Sequence, residues 1–219
     1  MEKRELISKY NIKLEKLEEE QIKLSKKIEL KDAFDFDHVE KIAAFDNSFV
    51  GNKILSSVVC VDNLFEIVDS NYTFEKTNFP YLAGFRAYRE LPAMINSFER
   101  LNEKPDVVII SGQGISHPRL GLASHFGLVT GIPTIGISNS ILDCEIKGED
   151  IFKNGKLIGK VLITKIGSRP IYITPGNKIS IESSFELIKK LIKSPHKLPE
   201  PLHLAGKYNN EIRRELEVK

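Results

Sequence analysis

Two acidic side chains stand at places in this sequence where a carboxylate could do chemistry. Asp46 follows the apolar run Ile42–Phe45, and an acid at the end of such a strand must be hydrogen-bonded or exposed to water. On its own, Asp46 would be a turn residue beside two small polar neighbours. Glu90 is a second acid, and carboxylates are ligands that a hard cation such as Mg²⁺ takes. Together with the turn Gly112-Gln113-Gly114, the two acids favour a functional site.

Three segments around these residues resemble the endonuclease V family, whose members cut nucleic acid near hypoxanthine bases. The segments are IAAFDNSF at 42–49, FPYLAGFRAYRE at 79–90 and VVIISGQGISHPR at 107–119. The resemblance covers roughly residues 40–215. It implies a metal-dependent nuclease scaffold of the ribonuclease H type.

The resemblance assigns Asp46 and Glu90 to a metal site whose second aspartate is missing. In such nucleases two Asp and one Glu hold Mg²⁺, which bridges the scissile phosphate and activates water. Ser111 stands where the second Asp is expected, and its neutral hydroxyl brings no charge to a hard cation. We therefore expect Mg²⁺ to bind weakly or not at all, with Mn²⁺ as the alternative ion.

Two further catalytic positions depart from the family pattern. Asn139 stands where the family has a lysine, and an amide cannot offset the charge of a phosphate. Gly206 stands where the family has a histidine in its final helix. His203 lies three residues earlier and could share that helical face, but we do not favour it as a substitute. Changes at three separate places predict that cleavage is impaired or lost.

The segments expected to contact nucleic acid are better kept. Pro80-Tyr81-Leu82-Ala83 resembles the family's wedge, whose tyrosine enters the duplex, although its last residue is usually proline. Stacking on Tyr81 would hold a base by roughly 1–3 kcal/mol; a half-buried aromatic is the alternative. Glycines that let the backbone approach the extruded base match Gly84, Gly112 and Gly121, with a plain tight turn as the alternative for each.

The segment after the central strand supplies the other binding candidates. Gln113 lies in the glycine-rich turn, and His117 and Arg119 begin the string HPRLGLASH at 117–125. His117 could bind phosphate or form a hydrogen bond within the core, and Arg119 is a further candidate for contact with nucleic acid. The family usually has one more residue after this arginine, often basic, so a phosphate contact is missing here.

The hydrophobic periodicity predicts the elements that must position these residues. A helical stripe over residues 3–30 predicts a leading helical segment at about 1–38. Strands are predicted at 42–45, 54–62, 65–74, 107–111, 133–138, 160–165 and 170–174. Helices are predicted at 84–101, 119–130, 182–193 and 201–216, with a kink or break at Pro92 and an N-cap at Ser180.

This order of elements predicts an α/β fold with a mixed sheet, similar to the ribonuclease H-like fold. The first three strands should be antiparallel, and the following strands should be parallel and alternate with helices. We expect one endonuclease V-like domain over residues 1–219.

The composition narrows the setting and the partners. With 32 basic and 30 acidic side chains the net charge is only +2, so any nucleic-acid site must be a local basic face. The two cysteines lack metal-like spacing and fit a reduced, cytoplasmic setting. We expect no secretory signal and no membrane partner, since the first residues are charged and no apolar run is long enough. The glycine-rich turn lacks the third glycine of a dinucleotide fingerprint, so no small-molecule cofactor is expected.

Three hypotheses about function remain. The favoured one is a protein that binds hypoxanthine-containing or distorted DNA or RNA, with cleavage impaired or lost. An active Mg-dependent endonuclease that cuts near inosine is the first alternative, supported by Asp46 and Glu90. A protein-interaction scaffold is the second, and the retained Tyr81 and glycines argue against it.

Overall fold

The computed structural model describes residues 3–165 and 167–217 of the chain. Within them, nine strands form one sheet in the order β3-β2-β1-β4-β5-β9-β8-β7-β6. The strands are β1 (Lys41–Val50), β2 (Lys53–Asp62), β3 (Ile67–Lys76), β4 (Val107–Ser111), β5 (Thr134–Ser138), β6 (Glu145–Lys147), β7 (Asp150–Lys153), β8 (Lys156–Leu162) and β9 (Ile171–Asn177). The helices are α1 (Lys3–Lys9), α2 (Leu14–Ser25), α3 (Arg86–Glu99), α4 (Leu122–Thr130), α5 (Ile181–Lys190) and α6 (Glu200–Glu217).

The sheet is mixed, as the sequence predicts. β1, β2 and β3 are antiparallel, whereas β1 pairs with β4 and β4 with β5 in parallel. Beyond β5 the sheet returns to antiparallel pairing through β9, β8, β7 and β6. The parallel centre is covered by helices on both faces, which is what a near-continuous apolar strand requires.

Alternate residues of the central strands pack into two separate cores. Ile42 and Ala44 of β1 face α5 and α6, where Phe185 and Leu202 are buried. Ala43 and Phe45 of the same strand instead join the side chains of α3 and α4. Burial of each large apolar side chain stabilises the fold by roughly 1.5–3 kcal/mol. Because successive side chains of β1 point to opposite faces of the sheet, the strand is packed between two layers of helices.

The leading segment is two helices and not the single stripe that we expected. α1 ends at Lys9, and Asn11 adopts φ 49°, a left-handed conformation that asparagine tolerates better than most residues. α2 starts afresh at Leu14, so the predicted stripe through Tyr10 is broken and Tyr10 is exposed.

Several boundaries also differ from expectation. α3 runs unbroken through Pro92, which sits on its exposed side. α4 begins only after Gly121, whose extended backbone makes it the N-cap residue. The predicted N-cap at Ser180 is observed, and its side chain accepts a hydrogen bond from the Ser183 amide at 3.1 Å. β6 and β7 were not predicted, since they have three and four residues and few buried side chains.

In the part of the chain that the structure describes, no helix has the length and apolar character needed to cross a membrane.

Candidate active site and nucleic-acid cleft

The parallel register brings the predicted catalytic positions to one edge of the sheet. Phe45 of β1 pairs with Ile110 of β4, so Asp46 and Ser111 are the next residues on neighbouring strands. Ser111 in turn pairs with Ile137 of β5, two residues before Asn139. Glu90 reaches the same edge from α3, whose apolar side packs on the sheet, and it is only 4% exposed.

A guanidinium that sequence reasoning missed lies among these groups. The Arg86 side chain donates from Nε to Glu90 Oε1 at 2.5 Å and from Nη1 to the Ser111 carbonyl at 2.9 Å. Asn47 Nδ2 donates to Glu90 Oε2 at 2.8 Å. Both oxygens of Glu90 are therefore engaged by donors of the protein itself. The i, i+4 spacing of Arg86 and Glu90 on a predicted helix was a signal for this pair.

The surroundings of Asp46 keep its carboxyl partly withdrawn from water. Burial raises the pKa of Asp46, and the nearby charge of Glu90 raises it further. The Arg86 guanidinium and a hydrogen bond from the Asn47 backbone act in the opposite direction. Since burial is the largest of these causes, the charged form of Asp46 is disfavoured here.

A cleft of about 570 Å³ opens beside this edge. Tyr81 stands on its rim with 66% of its surface exposed, so the half-buried alternative for this residue is wrong. Pro80 beside it is buried. The cleft brings together most of the predicted binding residues with Arg86; among its lining residues are Gly84, Gly112, Gln113, His117, Arg119 and Asn139.

The three predicted glycines are needed for different reasons. Gly84 has φ +82°, and a Cβ there would lie 2.8 Å from Arg119 Nη2. At Gly121 a Cβ would lie 2.1 Å from the Gln113 carbonyl oxygen, so close packing of two backbone segments requires glycine. At Gly112 the nearest atom would be Arg86 Nη1 at 3.3 Å, within the cleft. Packing within the fold therefore accounts for Gly121, while Gly84 and Gly112 shape the cleft.

A buried glutamine of α2 holds the loop that carries Tyr81. Gln21 is fully buried, donates from Nε2 to the Gly84 carbonyl at 3.0 Å, and accepts at Oε1 from Arg119 Nε at 2.7 Å. Arg119 Nη1 also pairs with Glu18 at 3.3 Å. The guanidinium of Arg119 is therefore held by the leading helix while it lines the cleft, and its contact with nucleic acid stays a prediction. Sequence reasoning missed Gln21, which looked like an ordinary polar position on a helix.

His117 lies in the cleft as a neutral side chain. Burial lowers its pKa to about 4, with Arg119 and Lys153 acting in the same direction. Its Nδ1 accepts a hydrogen bond from the Arg119 amide at 3.1 Å, which leaves Nε2 to carry the proton. His117 can therefore donate a hydrogen bond, but it supplies no positive charge at neutral pH.

Comparisons with known proteins agree with this architecture. The sequence profile of the endonuclease V family matches residues 22–207. The chain belongs to the endonuclease V family. The endonuclease V of Dictyoglomus turgidum is 37% identical over 207 residues, which are 90% of this chain and 88% of that protein.

Solved endonuclease V structures share the fold. The Bacillus subtilis protein superimposes with a TM-score of 0.85 at 26% identity, over 95% of each chain. The Ciona intestinalis protein, in complex with a 24mer DNA containing an inosine followed by a ribo-adenosine, gives 0.83 at 22% identity, over 93% of this chain and 98% of that one. The ribonuclease H-like fold predicted from the sequence is confirmed.

Endonuclease V is a metal-dependent nuclease family, but the donor set of this chain does not fit a divalent metal. The described residues contain no group of three or more His, Cys, Asp or Glu side chains able to hold an ion. Glu90 already has both oxygens hydrogen-bonded, and Ser111 is neutral. A divalent cation placed here would also be repelled by the Arg86 guanidinium.

The other two changed endonuclease V positions differ in what surrounds them. Asn139 is exposed, and its Oδ1 accepts from Lys197 Nζ at 3.2 Å, so a lysine from another part of the chain reaches this position. At Gly206 a Cβ would meet nothing within 4 Å. His203 is exposed and stacks on His196 at 3.6 Å, and no described contact joins it to Asp46 or Glu90.

Proposed function

We propose that this endonuclease V-family chain binds hypoxanthine-containing or distorted DNA or RNA, and that it cuts such strands little or not at all. One observation carries the proposal. The cleft has an exposed Tyr81 on its rim, while the Glu90 carboxylate at the adjacent edge is occupied by protein donors. The cleft therefore keeps a side chain that can bind a base, whereas the neighbouring carboxylate is not free for cleavage.

Recognition rests on groups that line the cleft. Tyr81 can stack on a base, and such contacts are worth roughly 1–3 kcal/mol. Gly112 and His117 both line the cleft, and the Nε2 proton of His117 is available for an acceptor on the base or sugar. Extrusion of a base costs less where pairing is already poor, so the cleft favours inosine mismatches and other distorted places.

Loss of cleavage follows from the carboxylate edge. Asp46 and Glu90 converge there, but Glu90 accepts from both Arg86 and Asn47, and Ser111 adds no charge. A general base must be able to reach the water that attacks phosphorus. Of the two carboxylates, only Asp46 has no side-chain donor among the described residues. One free carboxylate therefore stands where such nucleases have two Asp and one Glu.

The relatives support the ligand class. The Ciona intestinalis endonuclease V of the same fold is a complex with inosine-containing DNA. Within this proposal, residues 1–219 act as one domain in the cytoplasm, DNA or RNA is the partner, and the Mg²⁺ or Mn²⁺ of the family is bound weakly or not at all.

Binding and cutting should be measured side by side on the same inosine-containing and matched oligonucleotides, both DNA and RNA. We expect tighter binding to the inosine strands in fluorescence anisotropy at fixed salt, and no product with Mg²⁺ or Mn²⁺. Tyr81→Ala should weaken binding by about 1–3 kcal/mol, because the stacking surface is lost, whereas Tyr81→Phe should retain most of the affinity.

Tyr72→Ala is the matched control, because Tyr72 is an exposed tyrosine on β3 and does not line the cleft. Affinity no better than micromolar for every inosine-bearing strand would contradict recognition and favour a protein-interaction role. Robust cutting by the wild-type protein would contradict the loss of cleavage.

An active endonuclease is the second candidate function. The observation that favours it is the Lys197 ammonium at the Asn139 position, which can place a positive charge beside a phosphate. For an active endonuclease, Asp46→Asn would abolish the product that the wild type forms. In our proposal the wild type forms no product, and Asp46→Asn leaves nucleic-acid binding intact or strengthens it by removing a negative charge.

A further inference from the structure

We infer that the guanidinium of Arg86 takes the place of a metal ion as the cation that binds a phosphodiester in this cleft. The ligand is the sugar–phosphate backbone of the nucleic acid, and binding needs no divalent ion. The inference rests on the proposed function, since it names how the cleft holds the strand.

The first argument is position. Arg86 is joined to Glu90 through Nε and to the main chain of Ser111 through Nη1. Those two residues stand at the places where the family has its Glu and second Asp ligands. Asp46, the third position of the cluster, stands beside Ser111 at the same edge of the sheet. A single guanidinium therefore contacts two of the three places around which a metal would be held, at the edge that they share with the third.

The second argument is the number of donors left over. A guanidinium has five N–H groups in a planar fork. Two are used within the protein, and the other three meet no acceptor in the described part of the chain. The side chain is 42% exposed and lines the cleft, so these donors are open to a ligand. A fixed fork of this kind matches the two free oxygens of a phosphodiester.

The third argument is that the cation is held in place. Glu90 is nearly buried, and its own orientation is fixed by Asn47. The Nε–carboxylate and Nη1–carbonyl bonds together set both the direction and the plane of the guanidinium. A donor that is already oriented loses less conformational freedom when a ligand binds.

The experiment measures affinity for a fluorescent inosine-containing oligonucleotide as a function of salt, in EDTA and in Mg²⁺. We expect wild-type affinity to be the same with and without the divalent ion. Arg86→Leu should reduce affinity roughly tenfold near 0.1 M salt and lower the slope of log K against log salt by about 0.9, the effect of one phosphate contact. Arg86→Lys should retain most of the slope but lose affinity, because it keeps the charge without the fork.

Arg100→Leu is the matched control. Arg100 directly follows α3, is exposed, and does not line the cleft. It should leave both affinity and salt slope unchanged.

Removal of Arg86 alone leaves the buried Glu90 without its cation, which can destabilise the fold. Glu90→Gln and the double variant Arg86→Leu/Glu90→Gln avoid this problem. Glu90→Gln keeps an oxygen that can accept from Arg86 Nε, so it serves as the reference with which the double variant is compared. The double variant should show the same loss of affinity and slope as Arg86→Leu, which assigns the loss to the guanidinium and not to unfolding.

A metal titration followed by thermal unfolding provides an independent readout. Mn²⁺ should leave the wild-type melting temperature unchanged. Ser111→Asp should gain little, because Arg86 still occupies the site, whereas Ser111→Asp/Arg86→Leu should be stabilised by Mn²⁺. A wild-type shift with Mn²⁺, or nucleic-acid binding that disappears in EDTA, would overturn the inference.

The outcomes separate this inference from the proposed function. If the wild type prefers inosine but Arg86→Leu changes neither affinity nor slope, the inference fails alone. If Arg86→Leu lowers the inosine preference at an unchanged salt slope, Arg86 reads the base and the phosphate assignment is wrong. If strands bind with an Arg86-dependent slope but without inosine preference, the inference stands and the proposed recognition fails.

Discussion

Two regions near the cleft, a packed wall and an open side, respond differently to substitution. In the packed wall, two backbone segments are in close contact at Gly121, and Gly84 combines a positive φ with the nearby Arg119 guanidinium. The positions that differ from the family on the other side are open. Ser111 and Asn139 are exposed, and Gly206 has free space around its Cα. Loss of catalytic groups therefore costs the fold little, whereas loss of the glycines would cost it much.

This difference changes what the retained residues mean. Gly121 is required by the approach of two backbone segments, so its presence says little about a ligand. Tyr81 is different, because it is exposed and no packing requirement explains a large aromatic side chain there. Among the residues that resemble the family's binding surface, Tyr81 is the one whose retention argues for function.

The largest expected effect tests the packed wall directly. Gly121→Ala should lower the free energy of unfolding by about 1–3 kcal/mol or more, because its Cβ would overlap the carbonyl oxygens of Gln113 and Gly114. Gly206→Ala is the matched control on the open side, and it should stabilise α6 by roughly 0.5–1 kcal/mol. Urea denaturation measures both. Equal effects of the two substitutions on the free energy of unfolding would contradict the difference between the packed wall and the open side.

A second prediction concerns the link between the leading helix and the Tyr81 loop. Gln21→Leu should cost about 1–3 kcal/mol of stability, because it leaves the Gly84 carbonyl and Arg119 Nε without this buried partner. It should also weaken inosine binding, since Tyr81 is then held less firmly. Lys23→Ala on the exposed side of α2 serves as the control.

The Gln21 prediction depends on the coupling of stability to binding. In a double-mutant cycle with Tyr81→Ala, the effects of the two substitutions on affinity should be less than additive. Full additivity would show that Gln21 supports the fold without positioning the wedge.

The smallest effect is expected at Lys197. Lys197→Met should reduce nucleic-acid affinity only a few-fold at low salt, because a charge on the surface contributes roughly 0.2–1 kcal/mol. Lys193→Met, an exposed lysine of the same loop region, is the control. Anisotropy titrations at two salt concentrations measure the difference, which should shrink as salt rises. A loss as large as that of Arg86→Leu would move the main phosphate contact from Arg86 to Lys197.

Local patterns in the sequence were enough for much of the fold. The central strand β4 has the predicted bounds of 107–111, because a short and nearly continuous apolar run is typical of a parallel strand that is buried on both faces. Asp46 and Glu90 were selected by motif, and the resemblance to the family assigned both of them and the Ser111 position to one metal site. β6 and β7 escaped prediction because short, exposed strands are held by pairing with neighbours and not by a hydrophobic pattern.

Other features of the site depended on contacts between distant parts of the chain. The sequence determined that Arg86 and Glu90 lie one helical turn apart, but only the tertiary structure placed that guanidinium against Ser111, 25 residues away. Likewise, Lys197 meets Asn139 across 58 residues, and Gln21 meets Arg119 across 98. Such contacts leave no local periodicity, because they arise when the sheet edge, the cleft loop and the leading helix pack together. The identity of the charged group between the carboxylates was therefore decided by the tertiary structure.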